Sequence, residues 1–237
     1  MRLDLFLVEN SFFESRNKAQ FEIKNGNILV NNKVVTKSSY DVLDEDIIEV
    51  KDINLKYVSK GGFKLEKALD YFKFNVEGLR ALDIGSSTGG FTDCLIQRGI
   101  KEVYAVDVGK GQLHTSLKNN PKVISLEETN FLSMDLSSLE KVDIIVTDVS
   151  FIKVEAILER VISEFKNVIV IFLIKPQFEL GHTFFKNGVV KDDTLRKNAI
   201  NQVLDFIKSK NVCVNEVIES PILGGSGNKE YLSYIKI

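Results

Sequence analysis

The chain has 237 residues with 31 Lys and Arg against 33 Asp and Glu, a formal net charge of −2. Its 44% apolar and 27% charged residues fit an ordinary globular protein and argue against disorder and against a wholesale polycation. At this length it can bury a sizeable core, as one large domain or as a medium domain beside a small one.

The first 50 or so residues predict two short helices, a hairpin and one more strand. RLDLFLVEN spaces Leu3, Phe6 and Leu7 as one helical face, and SRNKAQFEIKNG does the same with Ala19, Phe21 and Ile23, with Ser15 as N-cap and Gly26 just past the end. NILVNNKVV predicts strand, turn and strand, because Asn31 and Asn32 tolerate the positive φ of a tight hairpin, and DIIEV at 46–50 predicts a further strand. Between residues 15 and 37, Arg16, Lys18, Lys24, Lys33 and Lys37 face Glu22 alone, and the acids gather at 41–52. A one-sided basic face suits phosphate contacts, which supply affinity and register rather than base reading; the alternative is a solvated surface that binds nothing. The expected division is a first domain at 1–54, a linker at 55–60 and a second domain at 61–237.

In YVSKGGFKLEKAL, residues 57–69, the spacing of Lys60, Lys64 and Lys67 predicts one basic helical surface. From residue 80 strands and helices alternate. RALDIG, EVYAVDVG, KVISLEE, VDIIVTDVS and NVIVIFLIKP are strands; GGFTDCLIQRG, GQLHTSLKNN, VEAILERVISEF and DDTLRKNAINQVLDFIKSKN are helices; VCVNEVIES and EYLSYIKI close the chain as two strands. The pattern predicts an α/β fold with a mostly parallel sheet, helices on both faces and ligands at the carboxyl ends of the strands.

The turn after the first of these strands, DIGSSTGGF, lacks the G-x-G-x-x-G spacing of pyrophosphate-binding loops, yet its glycines let backbone approach a ligand closely. Asp107 ends the next strand, where a carboxylate can take both hydroxyls of a ribose. A ligand with an adenosine and an amino acid but no phosphate, S-adenosylmethionine, fits. The expected cofactor set is Asp83, Gly85, Ser86, Ser87, Gly89 and Gly90 of the first loop, Asp107 and Val108, Asn130, and Asp148.

Residues RLD at 2–4, SRNKA at 15–19, IKNGNILVNNKVV at 23–35 and KSSYDV at 37–42 resemble the RNA-binding domain named after ribosomal protein S4. The resemblance implies RNA contacts by Arg2, Arg16, Lys18, Lys24, Lys33 and Lys37, with Lys60 and Lys67 of the second segment along an RNA path between the domains. TDVSF carries Asp148, KPQFE carries Lys175, GGSGNKE carries Glu230, and SKGGFKL carries Lys64. This set resembles the Lys-Asp-Lys-Glu constellation of the FtsJ-like ribose 2′-O-methyltransferases, and with the first domain the whole chain is similar to the TlyA family of rRNA methyltransferases, sometimes labelled haemolysins. The fold implied is a Rossmann-like S-adenosylmethionine-dependent methyltransferase sheet behind a small α+β S4-like domain. The function implied is methylation of an rRNA cytidine within a ribosomal subunit, the large one favoured because the chain resembles the family's short form. Lys60 departs from the family's Arg, keeping the charge and losing a bidentate phosphate grip.

A ribose 2′-hydroxyl is a poor nucleophile, so the enzyme must align it and remove a proton. Lys175 is the expected base, helped to lose its own proton by the charge of Lys64 and by partial burial, while Asp148 orients it and Glu230 positions Lys64 or the ribose. A non-catalytic RNA-binding module and a membrane-lytic protein are the competing classes. No apolar run approaches the roughly 18 residues of a membrane-spanning helix, and MRLDLFLVEN lacks the apolar core of a signal peptide. The cytoplasm is therefore the expected location, with no membrane insertion, and Cys94 and Cys213 are expected as free thiols. His114 and His182 have no partners at ligand spacing, so no metal is expected. Phe12-Phe13 and Phe184-Phe185 are expected to pack, and Phe151 to border the pocket as a stacking candidate. The oligomeric state is left open.

Overall fold

Two helices and a three-stranded antiparallel sheet make up the first unit, Met1–Leu55. The computed structural model describes residues 1–10, 12–13, 15–43, 45–50, 56–181, 188–224 and 227–237. Helices α1 (Leu3–Glu9) and α2 (Arg16–Lys24) pack on strands β1 (Ile28–Val30), β2 (Lys33–Val34) and β3 (Ile48–Val50). Ser15 caps α2, its hydroxyl accepting from the Lys18 amide at 3.3 Å. Asn31 and Asn32 take φ of 50° and 61°, as a two-residue hairpin turn requires. Leu3, Leu7, Ala19, Ile23, Ile28, Val30 and Val42 form the core. Phe21, expected beside Ala19 and Ile23, is exposed instead: two residues from each, it falls on the other side of the helix, and Glu22 is the buried neighbour.

The buried carboxylate of Asp4 organises this unit's basic residues. Its Oδ1 accepts from Arg2 Nε at 3.0 Å, and its Oδ2 accepts from a second Arg2 nitrogen, from Arg16 Nε at 2.9 Å and from Gln20 at 2.6 Å. The paired Arg2 bonds, against the opposing effect of burial, and then Gln20 and Arg16 hold the Asp4 carboxyl well below the usual range.

The second unit, Lys56–Ile237, is built on a seven-stranded sheet. In chain order it contains α3 (Gly61–Tyr71), β4 (Arg80–Ile84), α4 (Gly90–Gln97), β5 (Glu102–Val106), α5 (Thr115–Lys118), β6 (Val123–Leu126), β7 (Ile144–Thr147), α6 (Val154–Glu164), β8 (Ile169–Ile174), α7 (Pro176–Glu179), α8 (Asp193–Ser209), β9 (Ile218–Glu219) and β10 (Tyr231–Lys236). Spatial order is β6-β5-β4-β7-β8-β10-β9; the first five strands are parallel, and β10 runs antiparallel to both its neighbours. The two-residue period of the strands splits the core into two layers. Ala81, Ile144 and Ile171 pack with Leu65, Leu69 and Leu95 of α3 and α4, while Leu82, Ile145 and Phe172 pack with Leu158 of α6 and Val203 and Ile207 of α8.

Three elements differ from the sequence pattern. The helix expected over GQLHTSLKNN shrinks to the four residues of α5, because Gly111 has φ 66° and His114 is the N-cap, accepting from the Ser116 amide. The strand expected over VCVNEVIES is reduced to β9, with Val214 reaching Ile235 only through an isolated bridge. Helix α7, with Pro176 at its first position, follows Lys175 where only a motif was expected. Residues 56–60, expected as linker, are tied to the second unit: Tyr57 is buried, the Val58 amide donates to Asp93 at 2.7 Å, and Gln97 donates to the Lys56 carbonyl at 2.6 Å. His182 and Phe184-Phe185 lie outside the described residues.

Because folding lowers the Asp4 pKa, its stabilising effect is complete above the unfolded value near ~4 and is lost as pH falls through the folded one. Asp4→Ala is expected to cost the first unit about 1–3 kcal/mol at pH 7, and the deficit is expected to narrow below about pH 4. An NMR-detected urea titration of first-unit resonances in the full chain measures both.

Candidate active site

The carboxyl ends of the parallel strands open onto a cavity of about 470 Å³. Its wall includes Gly85 after β4, Asp107 and Val108 after β5, Asn130 after β6 and Asp148 after β7. Gly85 has φ 80°, and a Cβ there would lie 3.1 Å from Val149 and 3.3 Å from the Asp148 carbonyl, so glycine lets two strand ends approach. Asp107 ties two turns together, Oδ2 accepting from the Ser87 amide at 2.8 Å and Oδ1 from the Gly109 amide at 2.7 Å.

Of the expected cofactor set, Gly85, Ser87, Asp107, Val108, Asn130 and Asp148 line this cavity, whereas Asp83, Ser86, Gly89 and Gly90 are not in its wall. Asp83 is fully buried and accepts from Thr92 Oγ1 at 2.6 Å, while its second oxygen has no partner among the described residues. Burial pushes its pKa up to about 7. Ser86 is buried, its amide donating to the Val106 carbonyl at 3.1 Å. Gly89 faces Leu113 and Leu117, and Gly90 lies where a Cβ would sit 2.3 Å from Ser59 Oγ and 2.9 Å from the Gly62 amide, which marks both as packing positions. The Asp107 carboxylate in the cavity wall, able to take vicinal hydroxyls, fits the ribose of an adenosyl ligand.

Lys64, Asp148, Lys175 and Glu230 come together from four elements. Lys64 lies on α3, Asp148 just past β7, Lys175 just past β8 and Glu230 just before β10. Lys64 Nζ donates to Glu230 Oε2 at 2.6 Å and to Asp148 Oδ2 at 3.2 Å, and Lys175 Nζ lies 2.5 Å from Asp148 Oδ1. The charges alternate along one chain, and Lys64, Lys175 and Glu230 are all buried. Burial opposes the Lys64 charge, but Asp148 and Glu230 outweigh it and raise its pKa; burial likewise opposes the Asp148 charge, and Lys175 and Lys64 outweigh it and lower its pKa. Lys175 also donates to Ser150 Oγ at 2.9 Å and sits over the Phe178 ring, itself 5.3 Å from the Phe151 ring. Phe151 has φ 66° and is 86% exposed at the cavity wall.

The basic residues fare unequally. Lys64 is 7% exposed, so the single basic surface expected of Lys60, Lys64 and Lys67 does not form: Lys64 is drawn inward by two carboxylates, while Lys67 is exposed over the Tyr71 ring and Lys60 is half-buried. Arg2 and Arg16 are held by Asp4, Lys18 pairs with Glu22 at 3.2 Å, and Lys24, Lys33 and Lys37 are exposed. Phe12 stacks on Phe6 and Phe13 packs against the first unit's core. Sequence reasoning missed Ser150, Phe178 and Gly224. Ser150 sits two residues past Asp148 at a strand end, a position that could have flagged it. Gly224 has no local signal: its requirement is the Glu230 carboxylate, which a Cβ would meet at 2.2 Å.

The FtsJ-like methyltransferase family matches residues 57–236 and the S4 domain family matches residues 1–48. Hemolysin A of Brachyspira hyodysenteriae is 43% identical over the full length of both chains. The 23S rRNA (cytidine-2′-O)-methyltransferase TlyA of Campylobacter jejuni is 36% identical, covering 99% of this chain and 98% of its own. A solved structure of a hemolysin-named protein from Streptococcus thermophilus is 35% identical with a TM-score of 0.78, covering 99% of this chain and 87% of that one.

Removing the shared cation leaves the buried Glu230 carboxylate and the half-buried Asp148 carboxylate with one ammonium. Lys64→Met is expected to cost about 3–5 kcal/mol at pH 7, less as pH falls and the carboxyls protonate, with part of the loss recovered by adding Glu230→Gln. Urea denaturation of the three variants between pH 5 and pH 7 checks this.

Proposed function

This chain belongs to the FtsJ-like methyltransferases, with an S4 domain ahead of the catalytic unit, and from that premise we propose that it methylates the ribose 2′-hydroxyl of a cytidine in ribosomal RNA, large-subunit RNA first, with S-adenosylmethionine as donor. The observation that carries the proposal is the chain of alternating charges through Glu230, Lys64, Asp148 and Lys175, of which Asp148 lines a cavity suited to the donor.

Lys175 takes the hydroxyl proton on Nζ. To do so it must enter the reaction neutral, which would strip Asp148 of a counter-charge if Lys175 were its only partner. Lys64 supplies the second, held in place by Glu230, so Asp148 stays ionised and keeps Lys175 oriented through either protonation state. When bound, S-adenosylmethionine supplies an activated methyl group and leaves as a neutral thioether. Asp107, in the cavity wall, would take the donor's ribose hydroxyls. Phe151, exposed beside Lys175's own ring partner, is suited to stack on the target base. Lys24, Lys33, Lys37 and Lys67 are available for phosphates.

Labelled methyl transfer to isolated large and small ribosomal subunits lacking the modification tests this. Label is expected at a ribose of large-subunit RNA, reduced about 10²- to 10⁴-fold by Lys175→Ala, and Asp107→Ala is expected to weaken donor binding. Donor binding without label on either subunit would overturn the substrate assignment. Label that survives Lys175→Ala would overturn the choice of base.

A further inference from the structure

The turn between β7 and α6 bears Asp148, Ser150 and Phe151, yet among the described residues no backbone amide from 149 to 153 finds a backbone carbonyl. Phe151 adds a left-handed φ of 66°, an unfavourable conformation for an aromatic residue that persists only where the surroundings impose it. What holds the turn is α7 with its N-cap. Lys175 grips its start through Asp148 and Ser150, the Phe178 ring meets Phe151 in its middle, and Glu179 Oε1 accepts from the Val154 amide, the first of α6, at 3.2 Å. Glu179 stands outside both the chain of alternating charges and the Phe151–Phe178 ring pair.

Its burial makes little sense as a contribution to stability. Glu179 is 2% exposed, its Oε2 has no partner among the described residues, and a buried carboxyl with one oxygen satisfied is a net cost. We propose that Glu179 is a positioning residue for methyl transfer, whose buried carboxyl group clasps the first amide of α6 and so holds the 148–153 turn against α7 and Lys175. The proposal deepens the methyltransferase assignment and rests on it. Burial pushes the Glu179 pKa up to about 7, and a glutamine keeps the side chain's length with a carbonyl that can accept the same hydrogen.

The test compares Glu179→Gln and Glu179→Ala in the full chain. Glu179→Ala is expected to lower kcat about tenfold to a hundredfold, and Glu179→Gln to keep it near wild type. Val154→Pro, which deletes the donor at a helix position that accepts proline, is expected to behave as Glu179→Ala and serves if that variant does not fold. A second readout needs no RNA: the protein has no tryptophan, so Phe151→Trp adds a single fluorophore to the turn. In that background Glu179→Ala is expected to lower the indole's fluorescence anisotropy and Glu179→Gln to leave it unchanged. Unchanged kcat and anisotropy in Glu179→Ala, or equal losses in Glu179→Gln, would overturn the clasp. If the wild type methylates no ribosomal RNA, the methyltransferase assignment fails while the anisotropy comparison still decides whether the clasp exists.

Discussion

The site depends on one buried ammonium, that of Lys64, shared between the carboxylates of Glu230 and Asp148. Either carboxylate left without a cation would be costly, and so would the ammonium; with Lys175 as the second cation on Asp148 the groups satisfy one another. This condition reaches into the fold. Glu230 can stand beside Lys175 only because β10 runs antiparallel to β8, with Tyr231 opposite Ile174. A parallel strand would bring the residue before its first position to the far end of the sheet. The reversed strand is thus what brings the start of the last strand to the same edge as the carboxyl ends of the other five.

Lys64 must also arrive from outside the sheet, and glycines let its helix come close. Gly62 leaves no room for a Cβ over the Tyr57 ring, Gly90 lets α4 approach the start of α3, and Gly224 leaves space for the Glu230 carboxylate. The motifs rich in glycine therefore divide into two kinds. Gly85 lets two strand ends meet at the cavity wall, whereas Gly62, Gly89, Gly90 and Gly224 allow packed elements to touch away from it.

Much of this was legible because strand ends are marked by abrupt change. An apolar run followed by a charged residue and a turn identified Asp107, Asp148 and Lys175, and the Ser15 cap and the Asn31-Asn32 turn followed from local conformational preference. What local pattern could not supply was partnership at long range. Lys64 reads as one of three surface lysines until Glu230, 166 residues later, draws it inward. Arg2 and Arg16 read as free cations until Asp4, outside the stretch whose charges were compared, binds both. The lengths of α5 and β9 escaped for a related reason, since a cap at His114 sets where α5 begins, and upstream of β9 only an isolated bridge at Val214 joins the last strand.

The lysines of the second unit separate by burial into different physical roles. In the site, two ammoniums face two carboxylates, so the constellation is electrically balanced and offers little net attraction to a polyanion. Affinity for RNA must then come from cations that keep their charge in water, as Lys67 does on the exposed side of the same helix that buries Lys64. The first unit repeats the division, with arginines committed to Asp4 and Lys24, Lys33 and Lys37 left exposed. Exposed charge is screened by salt and buried charge far less. Binding should therefore be the salt-sensitive part of the activity, while the alignment of Lys175 by Asp148, sustained by Lys64, stays nearly independent of ionic strength once RNA is bound.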